Sequence, residues 1–214
     1  MPKSKKQNEE IIEIRCETIL HSALVLFSLF GYQSIGMDQI AKDSKCSRAL
    51  VYHYFPSKEE LFGELMKKVA GSIFQLTESV NYGNKAKESL TELIDKLLSE
   101  IKNSDDHDYM SCVIYLLLNL HLQKDYIPKP RHRDEVRPLG RKRLFEIVYY
   151  LIEKGQVEGD FNEGNPKEYT IAILSLIKGL AYNKIYLKNK FCCPSTSIIM
   201  NMVNKKEQIY VEQN

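Results

Sequence analysis

Residues 37–62 read MDQIAKDSKCSRALVYHYFPSKEELF, and this stretch carries the clearest structural signals in the N-terminal part of the chain. Its first eight residues carry apolar side chains at the i, i+3 and i+4 positions of a short helix. Ser47 is typical of a helix N-cap, so a second short helix is predicted from there to about Tyr54. Two such helices around a tight turn at residues 44–47 have the proportions of a helix-turn-helix, in which the first helix braces the second.

The second short helix carries side chains suited to contact with DNA. The residues expected on its outer face are Arg48, Ala49, Tyr52 and His53. A guanidinium matches the O6 and N7 acceptors of guanine, tyrosine and histidine can bond phosphates or base edges, and alanine permits close approach. The residues expected on the core side are Cys46, Phe55 and either Leu50 or Val51. The pattern therefore predicts a helix that enters the major groove.

A longer helix is predicted to follow and to fade at residues 81–84. Its start is indicated by Ser57 and Glu60, which match a capping box: the hydroxyl accepts from the N–H of Glu60, and the carboxylate reaches back. Lys58 lies at this start, where free backbone N–H groups and the helix dipole already favour a phosphate. We therefore expect Lys58 to contact the DNA backbone.

These residues resemble the DNA-binding domain of the TetR/AcrR family of transcriptional regulators. The matching residues are Gly31-Tyr32, Ile40-Ala41, Ser47 and the block Tyr52–Phe62, within a similarity that covers about residues 10–70. The resemblance implies a homodimer that binds a palindromic operator, usually as a repressor, and releases it when a small molecule binds the C-terminal domain. It assigns phosphate contacts to Tyr52 and Lys58. It assigns base reading to Arg48, Ala49 and His53.

Three sites depart from the family's usual pattern. Ile35 and Gly36 stand where a Thr/Ser pair commonly caps the next helix and touches phosphate, so a hydroxyl contact is lost. Lys45 replaces the usual turn glycine and adds a cation near the DNA backbone. Leu50 replaces a common threonine and either touches a thymine methyl or belongs to the core. The predicted DNA-contacting residues are Lys45, Ser47, Arg48, Ala49, Tyr52, His53 and Lys58.

The charge balance neither favours nor excludes a polyanionic partner. The 214-residue chain carries 30 Lys and Arg against 28 Asp and Glu, a formal net charge of +2. Residues 1–60 carry eight of each sign, so DNA binding must depend on how the charges are distributed. Lys3, Lys5 and Lys6 form a basic arm that either follows a groove or the DNA backbone or is a solvated tail.

Helical periodicity continues through the rest of the chain. Ten glycines and seven prolines are few for an all-β protein of this length, and 43% apolar residues with 27% charged residues are typical of a globular protein. Further helices are predicted at residues 86–102, 108–123, 134–154, 166–188 and 195–211, with Gly155 as a helix stop. The sequence thus predicts an all-α protein. A DNA-binding domain at residues 10–70, with the helix-turn-helix at about 36–55, is joined by a long helix to a helical ligand-binding and dimerisation domain at 81–214.

The C-terminal unit is expected to hold the effector and the dimer contact that the resemblance implies. The residues that can line a largely apolar cavity are Tyr109, Met110, Val113, Leu117, His121, Phe145, Tyr149 and Leu174. The same pattern would arise if these residues were solid core. The last two helices can pair with their twins across a two-fold axis. The apolar residues available for that contact are Ile171, Leu174, Ile198, Ile199, Met202 and Val203.

Other functions have less support in the sequence. No nucleophile–base pair, glycine-rich phosphate loop or metal-ligand spacing indicates an enzyme, a metal or a cofactor. No export signal or membrane-length apolar run is visible. Five cysteines without a C-x-x-C pair fit a reducing cytoplasm, where we expect the protein to act.

Two local features keep alternatives open. Cys192-Cys193 is either a thiol or soft-metal sensor or a pair of small residues in a loop. Together with the region of His121, it supports the alternative that the chain is a helical sensor or enzyme without DNA function. Residues 129–143 carry seven Lys and Arg against two acids, and form either a second nucleic-acid or membrane patch or a solvated loop.

Overall fold

A computed structural model describes residues 5–103, 109–119 and 139–205. Within these ranges the regular structure is helical, apart from one isolated antiparallel bridge between Phe161 and Asn204, so the all-α prediction is confirmed. The helices are α1 (Lys5–Phe30), α2 (Met37–Asp43), α3 (Arg48–Tyr54), α4 (Lys58–Glu78), α5 (Ala86–Lys102), α6 (Tyr109–Asn119), α7 (Leu139–Val157), α8 (Pro166–Leu187) and α9 (Thr196–Met200), with a 3₁₀ turn at Lys188–Lys190. None of these helices is long and apolar enough to cross a lipid bilayer.

Helices α1 to α4 pack around a core of aromatic and aliphatic side chains. Phe27, Tyr32 and Phe62 are buried, and the ring of Phe62 meets the other two edge-on at centroid distances of 5.8 and 4.8 Å. Gly31 ends α1 with a φ of +79°, and its N–H bonds the carbonyl of Phe27. This left-handed conformation favours glycine, which explains why α1 stops there.

Local capping rules place the starts of the next helices correctly. Ser47 accepts a hydrogen bond from the N–H of Leu50 at 3.2 Å, and α3 begins at the following residue. Ser57 accepts from the N–H of Glu60 at 3.1 Å, and α4 begins in the same way. Each hydroxyl satisfies an N–H group that the first turn of a helix otherwise leaves without a partner. Both bounds of α5 agree with the predicted range 86–102.

The later helices form a bundle that reaches back to α1. α7 packs against α4, α5 and α8, whereas α6 packs against α8 and α1. Leu90, Val113, Leu151 and Ile177 are fully buried and come from α5, α6, α7 and α8 respectively. The bundle therefore contacts the N-terminal helices in two places, where α6 packs against α1 and where α7 packs against α4.

The predicted stop of α7 at Gly155 is wrong. The helix continues to Val157, and the chain turns at Gly159, whose φ is +80°. Gly155 serves a packing requirement instead, because the ring of Phe161 lies 2.2 Å from the position that a Cβ at residue 155 would occupy. The predicted start of this helix at residue 134 lies outside the described residues, and the described part begins at Leu139.

The long last helix predicted at residues 195–211 is wrong over residues 201–205. α9 is only five residues long, and the chain then turns and runs beside the loop after α7. The N–H of Asn162 bonds the carbonyl of Val203 at 2.7 Å, and the N–H of Lys205 bonds the carbonyl of Asp160 at 3.0 Å. These pairings replace helical hydrogen bonds. Residues 206–211 lie outside the described ranges.

The end of α9 is buried in its own chain. Ile199 and Val203, which the sequence offered for a dimer contact, are fully buried, and α9 packs against α5. Ile198 and Met202 are exposed, with 59% and 36% of their surface accessible. The apolar spacing at residues 198–203 therefore does not reflect one continuous helix. It arises because α9 and the turn after it bury apolar side chains on the same side of the chain.

The basic arm of the sequence is only partly described. Lys5 and Lys6 are the first two residues of α1, so their backbone is helical. Lys3 lies outside the described residues.

Candidate nucleic-acid interface

α2 and α3 pack against each other around a tight turn that ends in a left-handed residue. Lys45 has a φ of +54°, the conformation for which a glycine is usual. The N–H of Cys46 bonds the carbonyl of Ala41 at 3.0 Å, and the N–H of Lys45 bonds the carbonyl of Lys42 at 3.3 Å. These two bonds form a Schellman motif, which closes α2 and directs the chain into α3. Lys45 is exposed at this corner.

α2 begins without a capping hydroxyl, as the sequence indicates. The side-chain oxygen of Gln39 accepts a hydrogen bond from the N–H of Gly36 at 2.6 Å. The carbonyl of Gly36 accepts from the N–H of Gln39 at 3.1 Å and from that of Ile40 at 3.3 Å. Gln39 therefore satisfies a backbone donor at the start of α2. Ile35 and Gly36 provide no hydroxyl there for a phosphate.

One face of α3 is open to solvent. Its exposed residues are Ser47 at the cap, then Arg48, Ala49, Tyr52 and His53, all of which the sequence placed on the outer face or at the cap. Val51 is fully buried, whereas Leu50 is half-buried, so Val51 is the main core residue of this pair. Phe55 is buried as expected, and Cys46 is half-buried.

Arg48 is held by two neighbours on this face. Its Nε lies 2.9 Å from Oδ1 of Asp38 on α2. Its Cζ lies 5.6 Å from the centroid of the Tyr52 ring, one turn along α3. No pattern in the sequence singles out Asp38, since the contact joins residues on two different helices.

Lys58 is half-buried at the start of α4. Its Nζ lies 4.1 Å from the ring centroid of Tyr32 and 6.0 Å from that of Phe27. Burial lowers the pKa of Lys58, partly opposed by the nearby carboxylate of Glu59. The hydroxyl of Tyr32 donates to Glu59 at 3.3 Å, and burial raises the pKa of Tyr32 well above its usual value. Lys58 thus contacts the protein core in addition to any phosphate.

The predicted effector residues divide into two groups. Val113, Leu117 and Leu174 are buried core residues of α6 and α8. The half-buried ones are Tyr109, Met110, Phe145 and Tyr149. Tyr109 lines an open cleft of about 690 Å³ between α1, α4 and α6. His121 lies outside the described residues.

The features behind the alternative functions have ordinary surroundings where they are described. Cys192 is exposed and Cys193 half-buried, and burial raises the pKa of the Cys193 thiol, which disfavours its reactive form. The described ranges contain no group of three or more His, Cys, Asp or Glu side chains that could hold a metal ion. Most of residues 129–143 lie outside these ranges. Arg143, which is described, pairs with Glu78 and lies over the Phe74 ring at 4.6 Å.

Comparison with known proteins identifies the segment that carries this interface. Residues 19–65 match the model of a family described as bacterial regulatory proteins, tetR family. The chain is also 35% identical, over 92 residues, to the uncharacterized HTH-type transcriptional regulator YxaF of Bacillus subtilis (strain 168). The chain is similar to the tetR family over this segment. All seven predicted DNA-contacting residues lie inside the matched segment.

The matches to curated relatives cover only part of the length of each relative. The match to YxaF covers 42% of this chain and 48% of that relative. A second uncharacterized HTH-type transcriptional regulator of the same organism, YuxN, is 26% identical over 205 residues, covering 92% of this chain and 64% of its own length. The chain thus matches about half to two-thirds of the length of these two curated relatives.

Solved structures share the fold. The crystal structure of AibR in complex with isovaleryl coenzyme A and operator DNA superimposes with a TM-score of 0.62, covering 88% of this chain and 95% of that one. The two sequences are 14% identical, so this likeness shows a shared fold and nothing more.

Proposed function

We propose that this chain is a TetR-family protein and a homodimeric transcriptional repressor, which binds a palindromic operator through α3 and acts in the cytoplasm. The observation that carries the proposal is the open face of α3, on which Arg48, Ala49, Tyr52 and His53 stand together beyond a braced turn. A helix of this kind reads bases with its N-terminal half while the preceding helix supports it. All five cysteines are free thiols, which is compatible with a reducing compartment.

The side chains divide by the part of DNA that each can contact. Arg48 supplies the planar donor fork that suits the major-groove edge of guanine, and His53 lies on the same face. Ala49 has no side chain beyond Cβ, so bases can approach the backbone of α3 closely. We assign phosphate contacts to the residues that flank this face, which are Lys45, Ser47, Tyr52 and Lys58.

The proposed dimer contact uses α8 and differs from that expected from the sequence. The outer face of α8 carries Ile171, Ser175, Gly179, Tyr182 and Tyr186, and Tyr186 is 71% exposed. Among the described residues, and apart from the neighbouring backbone of α8 itself, no heavy atom lies within 4 Å of a Cβ built at Gly179, so a second helix can approach there. A symmetric pair of α8 helices crossing at this point would cover the exposed aromatic rings. α9 contributes at most its exposed Ile198 and Met202.

We propose that a small, largely apolar effector binds in the unit formed by residues 81–214 and releases the operator, while residues 10–70 form the DNA-binding domain. The half-buried residues Tyr109, Met110, Phe145 and Tyr149 are the best placed of the predicted set, because they combine apolar surface with access. α6 packs against α1, so a ligand that moves α6 also acts on the helix-turn-helix. The effector shifts the equilibrium only by its difference in affinity for the two arrangements.

The proposal is tested by selecting bound duplexes from a random DNA pool with the full-length protein. The expected result is a palindrome whose half-sites are about one helical turn apart, bound by two chains. Stoichiometry is measured by sedimentation of the complex. Enrichment of no sequence, together with weak binding only at low salt, would contradict the proposal.

A further inference from the structure

Asp38 stands beside the arginine that the proposed function places in the major groove. Its Oδ1 lies 2.9 Å from Nε of Arg48, and 63% of the Asp38 side chain and 67% of the Arg48 side chain are exposed. We infer that Asp38 is a specificity-determining positioning residue, which holds the guanidinium of Arg48 in the orientation that reads guanine. The inference rests on the proposed function, because it requires α3 to lie in the major groove.

The ion pair uses only part of the guanidinium. An arginine side chain has five N–H groups in a rigid fork, one on Nε and four on the two terminal nitrogens. Asp38 contacts Nε, so the terminal nitrogens keep their N–H groups for another partner. O6 and N7 of guanine accept two parallel N–H bonds from such a pair of nitrogens. The contact with Asp38 is therefore compatible with reading a guanine at the same time.

Tyr52 restrains the same guanidinium from a second direction. Its ring centroid lies 5.6 Å from Cζ of Arg48. The arginine is thus bounded by a carboxylate on α2 and by an aromatic ring on α3. A long side chain that is ordered before binding loses less conformational freedom when the complex forms. Asp38 and Tyr52 together prepare Arg48 for one geometry of contact.

The carboxylate also discriminates by repulsion. A negative charge close to the groove weakens binding to every DNA sequence, because it faces the phosphates. Only a guanine at the matching position offsets this repulsion, because it bonds the guanidinium that Asp38 has oriented. Excluding water from the interface strengthens the Asp38–Arg48 attraction relative to the free protein, where an exposed pair contributes little. Asp38 is therefore expected to reduce general affinity and to increase selectivity.

The matched test compares Asp38→Asn with Asp43→Asn in the full-length protein. Both substitutions remove one negative charge from α2, and Asp43 is exposed at the other end of that helix. The base pair that Arg48 reads is the position at which Arg48→Ala relaxes the selected sequence. Affinity is then measured for the selected operator and for the same duplex with adenine in place of guanine at that base pair. Thermal unfolding confirms that each variant is folded.

The expected result separates charge from positioning. Both variants bind the adenine duplex more tightly than the wild type, but only Asp38→Asn lowers the guanine-to-adenine affinity ratio, by roughly five- to tenfold. In an Arg48→Ala background, Asp38→Asn leaves the ratio unchanged. Equal ratios for the two single variants would overturn the inference while leaving the proposed function intact. A wild-type protein without sequence preference would contradict the proposed function, and the inference with it.

Discussion

The ammonium of Lys58 lies 4.1 Å from the centroid of the Tyr32 ring, and the hydroxyl of Tyr32 donates to the neighbouring Glu59 at 3.3 Å. Tyr32 belongs to the loop after α1, whereas Lys58 begins α4. The contact therefore fixes the start of α4 against the N-terminal core. A residue that the sequence assigns to phosphate binding is also part of the packing that holds the helix-turn-helix together.

Substitution of Tyr32 should separate its ring from its hydroxyl. We expect Tyr32→Phe to lower the free energy of unfolding by about 1 kcal/mol, because only the bond to Glu59 is lost. Tyr32→Leu should lower it by about 3 kcal/mol, since the contacts of the ring with Phe27, Phe62 and Lys58 are lost as well. Urea unfolding measures both values. Equal losses would contradict a contribution from the ring.

Arg48 and Lys58 should differ in how they affect DNA binding. Lys58→Ala is expected to weaken the operator and a scrambled duplex about equally, and to lower the slope of log affinity against log salt by about 0.9. Arg48→Ala is expected to lower the ratio between the two duplexes instead. Fluorescence anisotropy over a range of salt concentrations measures both quantities. The division of roles is wrong if the two variants lose the same affinity on both duplexes.

The left-handed backbone at Lys45 predicts a stabilising glycine. Lys45→Gly should be more stable than Lys45→Ala by about 1 kcal/mol, because alanine keeps the steric conflict at positive φ. Both variants remove the same ammonium group, so their DNA affinities should show the same loss of salt dependence. Urea unfolding of the pair is the measurement. An alanine variant as stable as the glycine variant would be inconsistent with strain at this turn.

Gly155 and Gly71 should respond in opposite directions to alanine. At Gly155 a Cβ would meet the Phe161 ring at 2.2 Å, and we expect Gly155→Ala to lower the free energy of unfolding by about 2 kcal/mol. At Gly71, no heavy atom of the described residues beyond the neighbouring backbone of α4 lies within 4 Å of the added Cβ. The higher helix propensity of alanine should therefore stabilise the protein by about 1 kcal/mol. Thermal unfolding of both variants measures the two effects. Destabilisation of equal size at the two sites would contradict a specific conflict between a Cβ at residue 155 and the Phe161 ring.

The exposed aromatic face of α8 predicts a charge-sensitive dimer. Tyr186→Glu should dissociate the dimer, because a carboxylate would be buried against its own symmetry copy. Val157→Glu is the matched control, since Val157 is an exposed apolar residue at the end of α7 and not part of α8. Sedimentation velocity of the two variants measures the mass. A dimeric Tyr186→Glu variant would exclude this face as the interface.

The helix-turn-helix could be predicted from the sequence because its signals are local. Ser47 and Ser57 cap their helices through bonds to residues three positions later, and Gly31 ends α1 through its own backbone conformation. The outer face of α3 follows from helical periodicity alone. Such rules need only neighbouring residues, so both boundaries of α3 and α5 and the start of α4 agree with the prediction within one or two residues. The end of α4 at Glu78 comes earlier than the predicted fading at residues 81–84.

Features that depend on distant partners could not be predicted. α9 ends early because residues 203–205 bond the loop at residues 160–162, which lies some forty residues away in sequence. The role of Gly155 depends in the same way on the Phe161 ring. Asp38 carries no sequence signal, since its importance arises only when the turn brings α2 and α3 together. The site residues could be predicted from local sequence patterns. The residues that hold them in place could be recognised only from the tertiary packing.

The proposed function depends above all on sequence-specific DNA binding through α3. The most direct measurement is the affinity ratio between the selected operator and a scrambled duplex of equal composition, determined by fluorescence anisotropy at low and at physiological salt. We predict a ratio of at least about 10³ at physiological salt, with both affinities falling as salt rises. A ratio near one at both salt concentrations would contradict sequence-specific DNA binding through α3.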